Sequence, residues 1–87
     1  MSIPEQKTAV RCAIQSVLRA GVRDEQNDRI RAMREIARNI NRAGVPVFST
    51  NVLSLPNYNG YGPMLYGETM VIMDGEPQHF ELMVKAN

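Results

Sequence analysis

The sequence predicts an α+β domain: an antiparallel helical hairpin packed on a small antiparallel β-sheet, in the order ααβββ. Three observations lead there. Two successive segments within residues 1–44 carry apolar side chains at helical spacing. Beyond Gly44 that period is lost, and an alternating one appears towards the C-terminus. Between them lies an uncharged stretch, residues 43–67, that holds all three tyrosines and four of the six glycines. At 87 residues the chain is one domain, divided here into 1–44 (helical), 45–67 (uncharged strand and loop) and 68–87 (hairpin).

The first helix is predicted over 4–20. Ser2 and Glu5 have the capping-box spacing, in which a hydroxyl and a carboxylate satisfy free amide groups reciprocally. Val10, Ala13, Ile14, Val17 and Leu18 make one apolar face, joined by Ile3, and Gly21 can take the left-handed stop. The second helix is predicted over 25–43. Asp24 is the expected N-cap, and Glu25 and Asp28 suit the positive end of the helix dipole. Ile30, Met33, Ile36, Ala37 and Ile40 form its stripe, and Gly44 with Pro46 ends it. So short a connection makes the helices antiparallel neighbours.

Residues 45–50 read as a short strand, which Pro46 confines to an edge or a strand start. Residues 51–67 read as loop, punctuated by Pro56, Gly60, Gly62 and Pro63. Strands are predicted over 68–73 and 79–85, paired antiparallel. Asp74-Gly75 is a hairpin turn signal between them, lengthened by Glu76 and Pro77. Phe80, Leu82 and Val84 alternate with His79, Glu81, Met83 and Lys85, so one face of the last strand is buried. Residues 70–73 are apolar on both faces, which suggests a central strand covered on both sides. The second cover is expected to be another subunit, giving a dimer. A chain this short buries only about 60–65% of its unfolded surface, so self-association is a natural supplement.

Composition excludes several classes. No apolar run approaches the ~18 residues of a membrane span, and the N-terminal residues lack the pattern of a secretory signal. A single cysteine, Cys12, rules out an internal disulfide framework and fits a reducing, cytoplasmic setting. One Cys and one His cannot build a structural zinc site, and no metal or cofactor is expected. Charge is lopsided: residues 1–44 hold Lys7 and eight arginines against five acids, a balance of +4, while residues 45–87 balance at −3. Such asymmetry can mark a phosphate-facing side, although arginine is also simply a good helix former.

Arg31, Arg34, Arg38 and Arg42 project from one side of the second helix, roughly opposite its apolar stripe. Asp28 and Glu35 lie close enough to pair with Arg31 and Arg38 and dilute that patch. In the uncharged stretch, Tyr58, Asn59, Tyr61 and Tyr66 have the composition of adaptable binding surfaces. The same loop lacks the Gly-Lys-Ser/Thr ending of a phosphate loop and the spaced glycines of a dinucleotide fingerprint. Its tyrosines can stack on bases, anchor a protein contact or pack back over the core. His79 reads as an exposed strand histidine and Cys12 as an unreactive thiol on the polar side of the first helix. With no acid, base and nucleophile paired, no catalytic residue is expected. Compact inhibitors and adaptor subunits, many of them from phages or mobile elements, have this size and this lack of motifs. The expected function is therefore non-enzymatic binding, first of a protein partner. Nucleic acid or a small nucleotide is the alternative, with arginines on phosphates and tyrosines on bases.

Overall fold

Local polar contacts set the ends of the first helix, α1 (Ile3–Ala20). The Ser2 hydroxyl accepts the Glu5 N–H at 3.2 Å, and the Glu5 carboxylate accepts the Ser2 N–H at 3.3 Å. Gly21 ends the helix at φ 102°, donating its N–H to the Leu18 carbonyl. The computed structural model describes residues 1–86. Among them no helix is long and apolar enough to cross a membrane.

The second helix, α2 (Gln26–Arg42), starts differently from the sequence expectation. Glu25 occupies the cap position without a side-chain cap bond, and Asp24 pairs instead with Arg29 at 2.7 Å. The chain turns at Arg23, whose carbonyl accepts the Glu25 N–H, and this brings the Arg23 N–H over the first turn of α2. There the Asp28 carboxylate accepts it at 2.6 Å, together with Arg31 Nε at 2.8 Å. The Arg31 bond, then the Arg23 amide, hold the Asp28 carboxyl down at about 2. Arg31 also reaches Glu35 at 2.7 Å and the Gly21 carbonyl at 3.3 Å, so it ties the interhelical corner together.

Three strands follow: β1 (Val47–Leu55), β2 (Met64–Met73) and β3 (Glu76–Lys85). They form an antiparallel meander in the order β1-β2-β3, with β2 central as its two apolar faces suggest. The loop expected over 51–67 shrinks to residues 56–63. Asn59 and Gly60 both have positive φ, 47° and 80°, and the Tyr61 N–H bonds to the Tyr58 carbonyl at 2.8 Å. This is the tight primed turn whose twist matches paired strands, so the ladder runs almost to it. Residues 51–55 and 64–67 thus belong to the strands and not to the loop. Asp74 and Gly75 make the second such turn, at φ 52° and 78°, with Met73 opposite Glu76. Glu76 and Pro77 therefore open β3 rather than lengthen the connection; β3 is an edge strand, where a missing N–H is tolerated.

Both helices pack on one face of the sheet, and the Cα trace is only 18 Å through its thinnest dimension. Val10, Ile14 and Leu18 of α1 and Ile36 and Ile40 of α2 are buried against Val52, Leu65, Val71, Met73 and Phe80. Arg11 covers the rim, its guanidinium 5.3 Å from the Phe80 ring centroid. Thr69 is buried within this layer but satisfied: its hydroxyl donates to the Ser49 carbonyl at 2.9 Å. That carbonyl belongs to a bulge in which Phe48 is the extra residue between the Val47–Val71 and Ser49–Met70 pairs.

The closest approach of the two layers is at Gly67. A Cβ there would lie 2.9 Å from Ile14 Cγ2 and 3.1 Å from Leu18 Cδ1. Gly67→Ala is expected to destabilise the fold by about 1–3 kcal/mol through overpacking, and Gly67→Val by more. Urea denaturation measures this; a Gly67→Ala variant as stable as the native chain contradicts the close packing.

Candidate functional site

The helices leave the other face of the sheet open. Along β2 burial alternates at every residue, with Leu65, Gly67, Thr69, Val71 and Met73 turned to the helices. Met64, Tyr66, Glu68, Met70 and Ile72 point the other way. The register sets Tyr66 between Leu53 and Met83, Glu68 between Asn51 and Glu81, and Met70 between Ser49 and His79. A polar group thus sits in the middle of the open face, with apolar side chains to either side along the strands.

Four of its members converge. The Tyr66 hydroxyl lies 2.8 Å from Glu68 Oε2 and 2.7 Å from Glu81 Oε2, and its single proton is shared between the two. His79 Nε2 is 3.1 Å from the same Glu68 oxygen. The Tyr66 bond, then the His79 bond, hold the Glu68 carboxyl below the usual carboxylate range, with a lesser contribution from Asn51. Conversely, the Glu81 bond, then burial, then the Glu68 bond push the Tyr66 phenol well above the usual tyrosine range. Glu68 and Glu81 stand directly opposite on adjacent strands, an arrangement that like charges disfavour. Among the described residues, His79 is the only basic side chain within 4.0 Å of either carboxylate. Chemically the group is a set of oxygen donors and one imidazole facing solvent.

Of the sequence-predicted site residues, only Tyr66 lies in this cluster. Tyr58, Asn59 and Tyr61 form the β1–β2 turn at one end of the sheet, close to the interhelical corner. Tyr61 is 72% exposed and Tyr58 40%, so neither ring is buried in the core. The turn that carries them is ordered by bonds from the Tyr58 N–H to the Gly62 carbonyl and from the Gly62 N–H to Asn57 Oδ1. Arg34, Arg38 and Arg42 are exposed together along α2 and border a surface depression with Asn27, Ile30 and Asn39. Among the described residues they have no carboxylate within 4.0 Å; Glu35 pairs with Arg31, not Arg38. Arg31 is the exception in the stripe, being engaged at the corner. The tyrosine turn sits by the first turns of α2, whereas Arg42 ends that helix, about 25 Å away at 1.5 Å per residue.

The sequence reading missed Glu68, Glu81 and Asn51, and treated His79 alone. A signal was present. A two-residue turn at Asp74-Gly75 fixes the β2–β3 register, and that register puts Glu68 opposite Glu81 and Met70 opposite His79.

Tyr66→Phe removes the main cause of the depressed Glu68 pKa, so Glu68 is expected to titrate at higher pH in that variant. A depressed folded-state pKa contributes stability above the ordinary carboxylate value of about 4.3 that is lost as pH falls through the folded value. The stability gap between native and Tyr66→Phe should therefore narrow as the solution is acidified below pH ~4. Carboxyl NMR titration with denaturation at several pH values checks both, and an unmoved Glu68 titration contradicts the assignment.

Comparison with known proteins yields no match: no family model, no curated protein and no solved structure is significantly similar to the chain.

Proposed function

We propose that this chain is a small non-enzymatic binding protein, an inhibitor or adaptor of the reducing cytoplasm, that occupies the surface of a partner protein. The observation that carries the reading is the tyrosine turn. Tyr58 and Tyr61 are presented outwards on a reversal that backbone hydrogen bonds already hold in shape. Exposed aromatics on a pre-ordered turn give contact area at small entropic cost, which is how binding loops gain affinity. His79 is hydrogen-bonded to a carboxylate, and no hydroxyl or thiol nucleophile bonds to it among the described residues, which favours binding over covalent catalysis.

A second reading, a nucleic-acid or nucleotide binder, has its own support. Arg34, Arg38 and Arg42 form a run of exposed guanidinium groups without carboxylate partners among the described residues, suited to phosphates.

Capture of partners from the native host lysate, followed by titrations of two double variants, separates the readings. For a protein partner, replacing Tyr58 and Tyr61 by Ala weakens binding by about 2 kcal/mol or more each, and replacing Arg34 and Arg38 mainly slows association. For nucleic acid the order reverses, and loss of each arginine flattens the salt dependence by about one unit of slope. Unchanged binding in both folded variants sinks the proposal.

We further propose that two copies associate through the open sheet face. Antiparallel sheets that face water usually alternate apolar inside with polar outside, whereas here Leu53, Met70, Ile72 and Met83 share the outer face. Light scattering at micromolar concentration is expected to give twice the 9.8 kDa of one chain. A strict monomer removes the dimer.

A further inference from the structure

We propose that Glu68, His79 and Glu81 form a binding site for a divalent first-row transition ion, with zinc the ion that the donor set suits best. The proposal does not depend on the binding function above. It starts from an unbalanced feature of the open face. Two carboxylates are set directly opposite each other on paired strands, and no lysine or arginine lies within 4.0 Å of either among the described residues. A bound cation turns this repulsion into attraction.

The geometry fits. One donor atom from each of the three residues lies within 4.8 Å of the other two, and His79 Nε2 is already 3.1 Å from Glu68 Oε2. Zinc bonds of about 2.0–2.2 Å to nitrogen and oxygen require tetrahedral donors to be about 3.4 Å apart. Small side-chain rotations therefore close the site without moving the backbone. The three residues sit on two hydrogen-bonded strands whose register is fixed by a two-residue turn, so their Cα positions are rigid.

The surrounding groups complete the arrangement. The Tyr66 hydroxyl donates to Oε2 of both carboxylates, including the Glu68 oxygen that faces His79, and so holds the two ligands together, a role that outer hydrogen bonds play in metal sites. An imidazole donor and so few oxygens suit zinc and its neighbours and disfavour calcium and magnesium, which require six or more oxygen ligands or several retained waters. Three protein ligands leave a fourth position facing out of the sheet, to be filled by water or by a donor group of whatever covers that face.

Calorimetric titration of the chelator-treated chain with zinc chloride tests the site. One ion per chain is expected, with a rise in Tm and no comparable response to magnesium. His79→Ala and Glu81→Gln, both at exposed positions, should each lower zinc affinity at least about tenfold. Cys12→Ser, on the opposite layer, should leave it unchanged. NMR of the native chain gives a measurement that needs no substitution, because zinc must shift the His79 ring nitrogen resonances. Undisturbed His79 resonances, or affinity retained in His79→Ala, overturn the proposal, as does the absence of binding heat up to millimolar zinc.

Discussion

Gly67 sets how closely the helical layer approaches the sheet. It stands on the inner face of the central strand, where Ile14 and Leu18 occupy the volume a side chain would need. Because β2 is bonded on both sides, the depth at which α1 settles on it decides how the rest of the core closes. α1 lies over β2 and β3 and α2 over β1, and the buried side chains of both join one core. The interhelical corner complements this contact. Asp28 and Arg31 hold the start of α2 against the end of α1, so the second helix inherits the position of the first.

One packed layer on one sheet face has an immediate corollary: the helices leave the opposite face uncovered. Its centre is polar and mutually bonded, and its flanks are apolar. The Tyr66 hydroxyl is the shared element, since it serves both carboxylates and is the first cause of the depressed Glu68 pKa. The face therefore combines a charged centre with apolar flanks, the reverse of the apolar core and polar rim of a typical protein interface.

The helices were legible because their signals are local. Ser2 with Glu5, and Gly21, are read within one turn of chain and mean the same thing in any context. Asp24 misled because capping competes with side-chain pairing: Arg29 took its carboxylate, and Asp28 served the neighbouring amide. The strands were read short because glycine, proline and asparagine were weighed as loop formers one by one. Asn59-Gly60 acts as a pair, a tight reversal inside the 56–63 connection that lets the strands extend to Leu55 and Met64, while Asp74-Gly75, read as a turn from the start, lets β3 begin at Glu76. The same oversight hid the cluster on the open face. His79 and Glu81 are visible as outward neighbours on one strand, but Glu68 joins them only through a register that depends on the turn. The tyrosines and arginines were legible by composition and the Asp28–Arg31 pair by spacing, whereas the engagement of Glu35 by Arg31 and the separation of the two groups needed three dimensions.

The bulge at Phe48 has a consequence for solubility. A three-stranded meander exposes two edge strands, each a template on which another chain can add a strand and begin a fibril. On β1 the extra residue breaks the regular spacing of free amides and carbonyls, and Pro46 just before the strand has no amide to offer. On β3 the edge carries Pro77 near its start and Lys85 at its end. Thr69, by donating to the Ser49 carbonyl, keeps the irregular stretch of β1 fixed to its neighbour. The two edges of this sheet are thus poorly suited to unlimited strand addition.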